Sequence, residues 1–123
     1  MKHDKPSRIV NQFQGEIDCA ISLLVSPAYL ETWLLPRGYV VGSSRGRSYS
    51  KQGAISVPLW AYRKGTDYFL YYAAHELSHL FSMSDGHDFK FYQHFMRICP
   101  IEFQHFELGY KPSAKKYGIR ATP

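Results

Sequence analysis

The segment His75-Glu76-Leu77-Ser78-His79 carries two imidazoles and one carboxylate at the spacing of an H-E-x-x-H zinc motif. Four residues take an α-helix about 40° past one full turn, so His75 and His79 stand side by side with about 5 to 6 Å between their Cβ atoms. Both rings can then reach one ion through bonds of roughly 2.0 to 2.1 Å. Glu76 points about 100° away from His75, which suits a base beside the ion. The motif predicts a catalytic zinc site with two histidine ligands and Glu76 as general base.

A catalytic zinc site needs a third protein ligand and one open position. His87 follows Gly86 after a predicted helix break, so it can fold back and supply that third nitrogen. Four other side chains compete for this position: His94, Asp85, Glu102 and Glu107. His94 lies two helical turns from His87, about 10 Å along the axis, so both bind one ion only if the helix bends. We therefore interpret His94 as a core residue or a support for a ligand.

The helix that carries the motif is predicted over residues 67–82, with Thr66 as its cap. Its core stripe consists of four apolar residues: Phe69, Ala73, Leu77 and Leu80. Tyr68 and Tyr72 share the opposite side with the two histidines, where they are candidates to stabilise an oxyanion or, alternatively, packing residues. A further helix is predicted over about 87–98, and Pro100 ends it.

Upstream of the motif, the spacing of apolar residues predicts two N-terminal helices, one over about 11–24 and a short one that begins at Pro27. Residues 39–41 and 46–50 are strand-like. Ile55, Val57, Leu59 and Ala61 alternate with polar or bulky residues, which predicts a third strand; because Pro58 cannot donate to a ladder, we place this strand at an edge. The sequence thus predicts an α+β fold with a small antiparallel sheet of about three strands.

The 123 residues are 45% hydrophobic and 16% aromatic, which predicts a single domain over 1–123 with looser ends at about 1–8 and 111–123. Neither a membrane-spanning run nor a secretory signal is visible, so we expect a cytoplasmic protein without membrane contact. Cys19 and Cys99 are too few for a disulfide framework and are expected to be buried.

A net charge of +5 leaves open a weak contact with nucleic acid. Five basic residues cluster around the predicted hairpin and the start of the motif helix: Arg45, Arg47, Lys51, Arg63 and Lys64. They can hold a phosphate backbone or form an ordinary solvated basic surface.

These motifs resemble the SprT-like, WLM and YgjP-type zinc metallopeptidases, which are minimal members of the zincin class. The similarity covers roughly residues 38–96: residues 46–55 look like the hairpin that leads into the active helix, and the His75 to His79 motif and Gly86-His87 with Phe91 follow. The resemblance implies a zincin-like domain with Zn2+ as cofactor. It implies that His75, His79 and His87 are zinc ligands and that Glu76 is the general base.

The sequence as a whole predicts a zinc metalloprotease that hydrolyses peptide bonds with a metal-activated water, its partner being a protein or peptide substrate. Two alternatives stay open. Some metal-dependent endoribonucleases also use three histidines, although they do not call for a glutamate directly after the first. A non-catalytic regulatory or binding module with a structural metal is the other alternative, and there the change Glu76→Gln would leave function intact.

Overall fold

The computed structural model describes residues 19, 21–24, 39–41, 47–49, 54–83 and 86–122. The strands are β1 (Tyr39–Val41), β2 (Arg47–Tyr49) and β3 (Ala54–Val57). The α-helices are α1 (Leu59–Arg63), α2 (Thr66–Ser82), α3 (Phe89–Ile98) and α4 (Phe106–Tyr110). Two 3-10 helices, Ile101–Phe103 and Pro112–Tyr117, flank α4. Residues 21–24 are helical, in agreement with the predicted first helix, whereas the predicted second helix lies outside the described residues.

The strands form a sheet in the order β1-β3-β2. β3 pairs parallel with β1, with Tyr39 opposite Ile55, and antiparallel with β2, with Ser48 opposite Ile55. β3 is therefore the central strand of the described sheet, and β1 and β2 are its edges. Ile55 and Val57 point from β3 into the hydrophobic core.

The predicted α+β fold with an antiparallel three-stranded sheet is wrong. Helices dominate the described residues, the strands are only three or four residues long, and one of the two pairings is parallel. The predicted third strand also ends early, because α1 begins at Leu59 directly after Pro58. Pro58 precedes a helix, where its missing N–H costs nothing, so it does not mark an edge strand.

α2 is buried on almost every side because it lies between two apolar clusters. The predicted stripe of Phe69, Ala73, Leu77 and Leu80 packs into the first cluster with the sheet and α1, which confirms that part of the prediction. The opposite side, including Tyr71 and Ala74, packs into a second cluster with α3 and the C-terminal segments. The motif histidines thus sit on a helix held from both sides.

The ends of α2 and α3 differ from the predicted caps. Gly65, not Thr66, is the N-cap of α2, and its φ of 119° explains why glycine occupies that position. α3 begins two residues later than predicted, where the Asp88 side chain accepts a hydrogen bond from the backbone N–H of Phe91 at 3.0 Å.

The C-terminal segment, expected to be loosely ordered, contains a 3-10 helix and buries Ala114 and Ile119 in the second cluster. Cys99 is buried as predicted, but Cys19 is exposed. None of the helices in the described part of the chain combines the length and apolar character that a membrane crossing requires.

Candidate metal centre

Three histidines predicted as zinc ligands converge on one point. His75 and His79 lie one turn apart on α2, and His87 lies two residues before α3. One potential ligand atom from each ring lies within 4.8 Å of the other two. The ring centroids are 5.1 Å apart for His75 and His79, 5.1 Å for His75 and His87, and 4.8 Å for His79 and His87. Such a group could hold a metal ion.

The distance between two of these nitrogens fits a tetrahedral ion. Nε2 of His87 lies 3.2 Å from Nε2 of His75. Two nitrogens bound to one zinc ion with bonds of about 2.0 to 2.1 Å and a tetrahedral angle stand about 3.3 Å apart. A single hydrogen bond between two neutral rings would also span 3.2 Å. The third ring, His79, brings a further possible ligand atom within 4.8 Å of those of the other two, so the cluster offers the three nitrogens that could hold an ion.

Glu107 fixes the orientation and tautomer of His75. Its Oε1 accepts a hydrogen bond from Nδ1 of His75 at 2.8 Å. An ionised carboxylate only accepts, so Nδ1 of His75 carries the proton and Nε2 keeps its lone pair for a metal. Hydrogen bonding of this kind, from a ligand histidine to a carboxylate, accompanies most histidine ligands of zinc.

The carboxylate of Glu107 is completely buried and accepts three hydrogen bonds. The Tyr71 hydroxyl donates to Oε1 at 2.9 Å and the Tyr92 hydroxyl donates to Oε2 at 2.8 Å. Burial by itself would raise the pKa of Glu107, but the hydrogen bonds from His75, Tyr92 and Tyr71 outweigh it and lower that pKa. Burial, reinforced by the nearby Glu107 charge, raises the pKa values of Tyr71 and Tyr92, so both phenols stay protonated as donors.

Two aromatic residues of the site lie on elements after the motif helix. Phe91 is fully buried, and its ring centroid lies 5.0, 4.5 and 4.9 Å from those of His75, His79 and His87. It forms an apolar support for all three rings. Tyr110, at the end of α4, lies with its centroid 5.5 Å from that of His75 and 5.6 Å from that of His87, and it is 63% exposed.

Glu76 is buried, with 6% of its surface exposed, beside His75 in the chain. Burial raises its pKa to about 7, opposed by the attraction of His75 and supported by repulsion from Glu107. A carboxyl group with a pKa near neutrality can both take up and release a proton at physiological pH. That property is the one required of a general base that later acts as an acid.

His87 is held in its neutral form. Its pKa is lowered to about 4, first by burial and then by the proximity of His75 and His79, with Lys111 adding to the effect and Glu107 opposing it. Only the neutral imidazole has a lone pair for a metal, so this environment keeps His87 competent to bind one well below neutral pH.

Of the four rival ligands, the three that the structure describes, His94, Glu102 and Glu107, are not in the three-histidine cluster. Arg97 donates a hydrogen bond to Nδ1 of His94 at 2.8 Å, and the half-buried His94 ring lies 6.2 Å from that of Phe81 on α2. The interpretation of His94 as a core residue or a support for a ligand stays a prediction. Glu102 is exposed, and Asp85 lies outside the described residues. Glu107 accepts a hydrogen bond from Nδ1 of His75, the ring nitrogen that does not face His87.

Sequence reasoning found the histidines but missed the roles of Glu107, Tyr71, Tyr92 and Tyr110. Tyr71 lies one helical turn before His75, so helix periodicity already places it near the histidines. Glu107 gives a weaker indication of burial near the site, as an acidic residue between the apolar residues Phe106 and Leu108. Tyr68 and Tyr72 are partly buried and pack in an aromatic group with Trp60, in keeping with the packing alternative.

Of the five basic residues near the predicted hairpin, the structure describes the side chains of two. Arg63 and Lys64 are exposed, and the Lys64 ammonium lies over the rings of Trp60 and Tyr68 at 5.4 and 4.6 Å from their centroids. Arg45 and Lys51 lie outside the described residues. Contact with nucleic acid therefore stays a prediction.

Comparison of the chain with protein-family models, with curated proteins and with solved structures gave no match in any of the three.

Proposed function

We propose that this chain is a zinc-dependent hydrolase that cleaves peptide bonds. The observation that carries the proposal is the Glu107–His75–His87 arrangement. Glu107 holds the proton of His75 on Nδ1, and Nε2 of His75 then faces Nε2 of His87 at 3.2 Å with His79 beside them. The buried Glu76 next to His75 supplies the base that a purely structural zinc site does not need.

The mechanism assigns one task to each of these side chains. Zinc, when bound, polarises a carbonyl group and lowers the pKa of a water toward about 7. His75, His79 and His87 hold the ion through neutral ring nitrogens. Glu76 accepts a proton as water adds to the peptide carbonyl carbon, and it returns that proton to the amine nitrogen as the carbon–nitrogen bond breaks.

The described sheet offers a place for an extended substrate. β2 is an edge strand, and α2 packs against both β2 and β3. A peptide that adds to β2 through main-chain hydrogen bonds would run beside the motif helix. The resemblance of the sequence to SprT-like, WLM and YgjP-type peptidases, and the position of Glu76 directly after the first histidine, favour peptide bonds over RNA.

The metal claim is tested by zinc analysis of the purified protein. We expect about one zinc per chain in the wild type and a loss of zinc in His75→Ala, because a catalytic zinc site takes three protein ligands and this variant lacks one of them. The matched control is His94→Ala, which removes a histidine of α3 that bonds Arg97 and is not part of the cluster. Zinc-free wild-type protein after exposure to equimolar zinc would refute the proposal.

The catalytic claim is tested with Glu76→Gln and an unfolded protein such as denatured casein. We expect the variant to keep its zinc and to lose activity by about 10²- to 10⁴-fold, the range that general base catalysis contributes. Cleavage is followed by gel electrophoresis and mass spectrometry of the products, with structured RNA as a parallel substrate. Glu76-dependent cleavage of the RNA with intact casein would contradict the assignment to peptide bonds, and unchanged casein cleavage in the variant would contradict the mechanism.

A further inference from the structure

Tyr110 lies beside the three histidines at the end of α4. The same helix carries Glu107, which also contacts His75. The two residues are three positions apart on α4, so they face the same side of the helix. Glu107 reaches the back of His75 through its carboxylate, at 2.8 Å from Nδ1. The Tyr110 ring lies against His75 with the planes 87° apart, and against His87 with the planes 62° apart. α4 thus approaches the histidines at two points.

The exposure of Tyr110 distinguishes it from the other tyrosines around this centre. Tyr71 and Tyr92 are 3% and 1% exposed, and their hydroxyls donate to Glu107. Tyr110 is 63% exposed, and among the described residues its hydroxyl has no hydrogen-bond acceptor. A tyrosine that only filled space would turn its ring into the second cluster. Tyr110 instead borders both the histidine rings and the solvent from which a substrate arrives.

We propose that the Tyr110 hydroxyl donates a hydrogen bond to the carbonyl oxygen of the scissile peptide bond. This inference rests on the proposed function. As the oxygen of water bonds to the carbonyl carbon, the π electron pair of the carbonyl moves onto its oxygen, which becomes negative. The phenol donates to that oxygen and keeps its own proton, so the only proton transferred in this step goes to Glu76. A donor placed where negative charge develops lowers the barrier more than it tightens substrate binding.

This assignment replaces Tyr68 and Tyr72, the two tyrosines that the helix periodicity offers for the same task. Tyr68 packs edge-on against Tyr71 and Phe106, with centroids 5.3 and 5.2 Å away. Tyr72 lies edge-on to Trp60 at 5.6 Å and farther from His75, at 6.5 Å, than Tyr110 does. The Tyr110 ring, by contrast, lies against both His75 and His87, with centroids 5.5 and 5.6 Å away.

The test compares zinc-loaded wild type, Tyr110→Phe and Tyr110→Ala on an internally quenched peptide that the wild type cleaves. We expect both variants to retain one zinc and to lose about 10²-fold in kcat with little change in KM, because a single oxyanion donor contributes about 10²- to 10³-fold. The affinity for the phosphinic analogue of the same peptide, whose tetrahedral oxygens imitate the transition state, should fall in parallel with kcat/KM. Tyr62→Phe is the matched control, since Tyr62 packs on Phe69 in the first cluster.

The outcomes separate the two proposals. If the wild type cleaves and Tyr110→Phe cleaves equally well, the role of Tyr110 is refuted and the proposed function stands. If only Tyr110→Ala is impaired, the ring packs and its hydroxyl does no chemistry, which also refutes the role. A wild type that binds zinc but cleaves no peptide refutes the proposed function itself, and the role of Tyr110 falls with it.

Discussion

At the scale of single residues, the sequence predicts the candidate ligands better than it predicts the groups that orient them. His75 and His79 are four residues apart, so helix geometry alone brings them together. His87 needs only a turn between two helices. Glu107 bonds His75 across 32 positions, and no local pattern encodes that contact. The sequence offers Glu107 only as a rival ligand, because its distance from the cluster depends on how the C-terminal segments pack.

Replacing Glu107 by glutamine should weaken metal binding. Three donors converge on this carboxylate, and a glutamine would direct its own NH2 donor at one of them. We expect zinc affinity to fall about 10- to 100-fold, the usual effect of losing the hydrogen-bond partner of a ligand histidine. Competition with a fluorescent zinc chelator measures the affinity. Glu102→Gln, an exposed residue of the preceding 3-10 helix, is the control; equal affinities in the two variants would contradict this role of Glu107.

At the scale of elements, long periodic segments are predictable and short apolar ones are not. α2 extends over 17 residues, and its core stripe emerges clearly from the sequence. The alternation from Ile55 to Ala61 predicts one strand, but a strand and a five-residue helix share those positions, since a few apolar residues fit either period. The parallel pairing of β1 with β3 depends on the path of the chain between them, and local pattern does not determine it.

Removing the N-cap side chain of α3 should lower the free energy of unfolding. The Asp88 side chain satisfies the N–H of Phe91, and Phe91 supports all three histidine rings. For Asp88→Ala we expect the free energy of unfolding to fall by about 1 kcal/mol, which is roughly 4 °C in Tm for a chain of this size. Thermal unfolding of the zinc-free proteins measures the change. Asp88→Ser keeps an acceptor and should lie close to wild type; an alanine variant as stable as the serine variant would show that the cap contributes nothing.

At the scale of the whole molecule, the three-histidine cluster, which could hold a metal ion, lies where three separate parts of the chain meet. His75 and His79 belong to α2, His87 precedes α3, and Glu107 and Tyr110 come from α4. An ion that binds this arrangement and not the unfolded chain stabilises the fold by mass action, by about 4 kcal/mol at a free concentration 1,000-fold above Kd. We expect zinc to raise Tm by on the order of 15 °C and a strong chelator to reverse the shift.

Hydrogen exchange with and without zinc shows which elements the ion joins. Hydrogen exchange should slow most in α3 and α4 on zinc binding, because α2 is already packed between two apolar clusters and gains least from another contact. His87→Ala should abolish most of the rise in Tm, since it removes the ligand that links α2 to the segment before α3, and His94→Ala should leave the rise intact. Two results would contradict this: zinc that protects α2 alone, or a rise in Tm that survives His87→Ala. Either would mean that the two histidines of α2 hold the ion without His87, and the site would then lack the third protein ligand that a catalytic zinc centre needs.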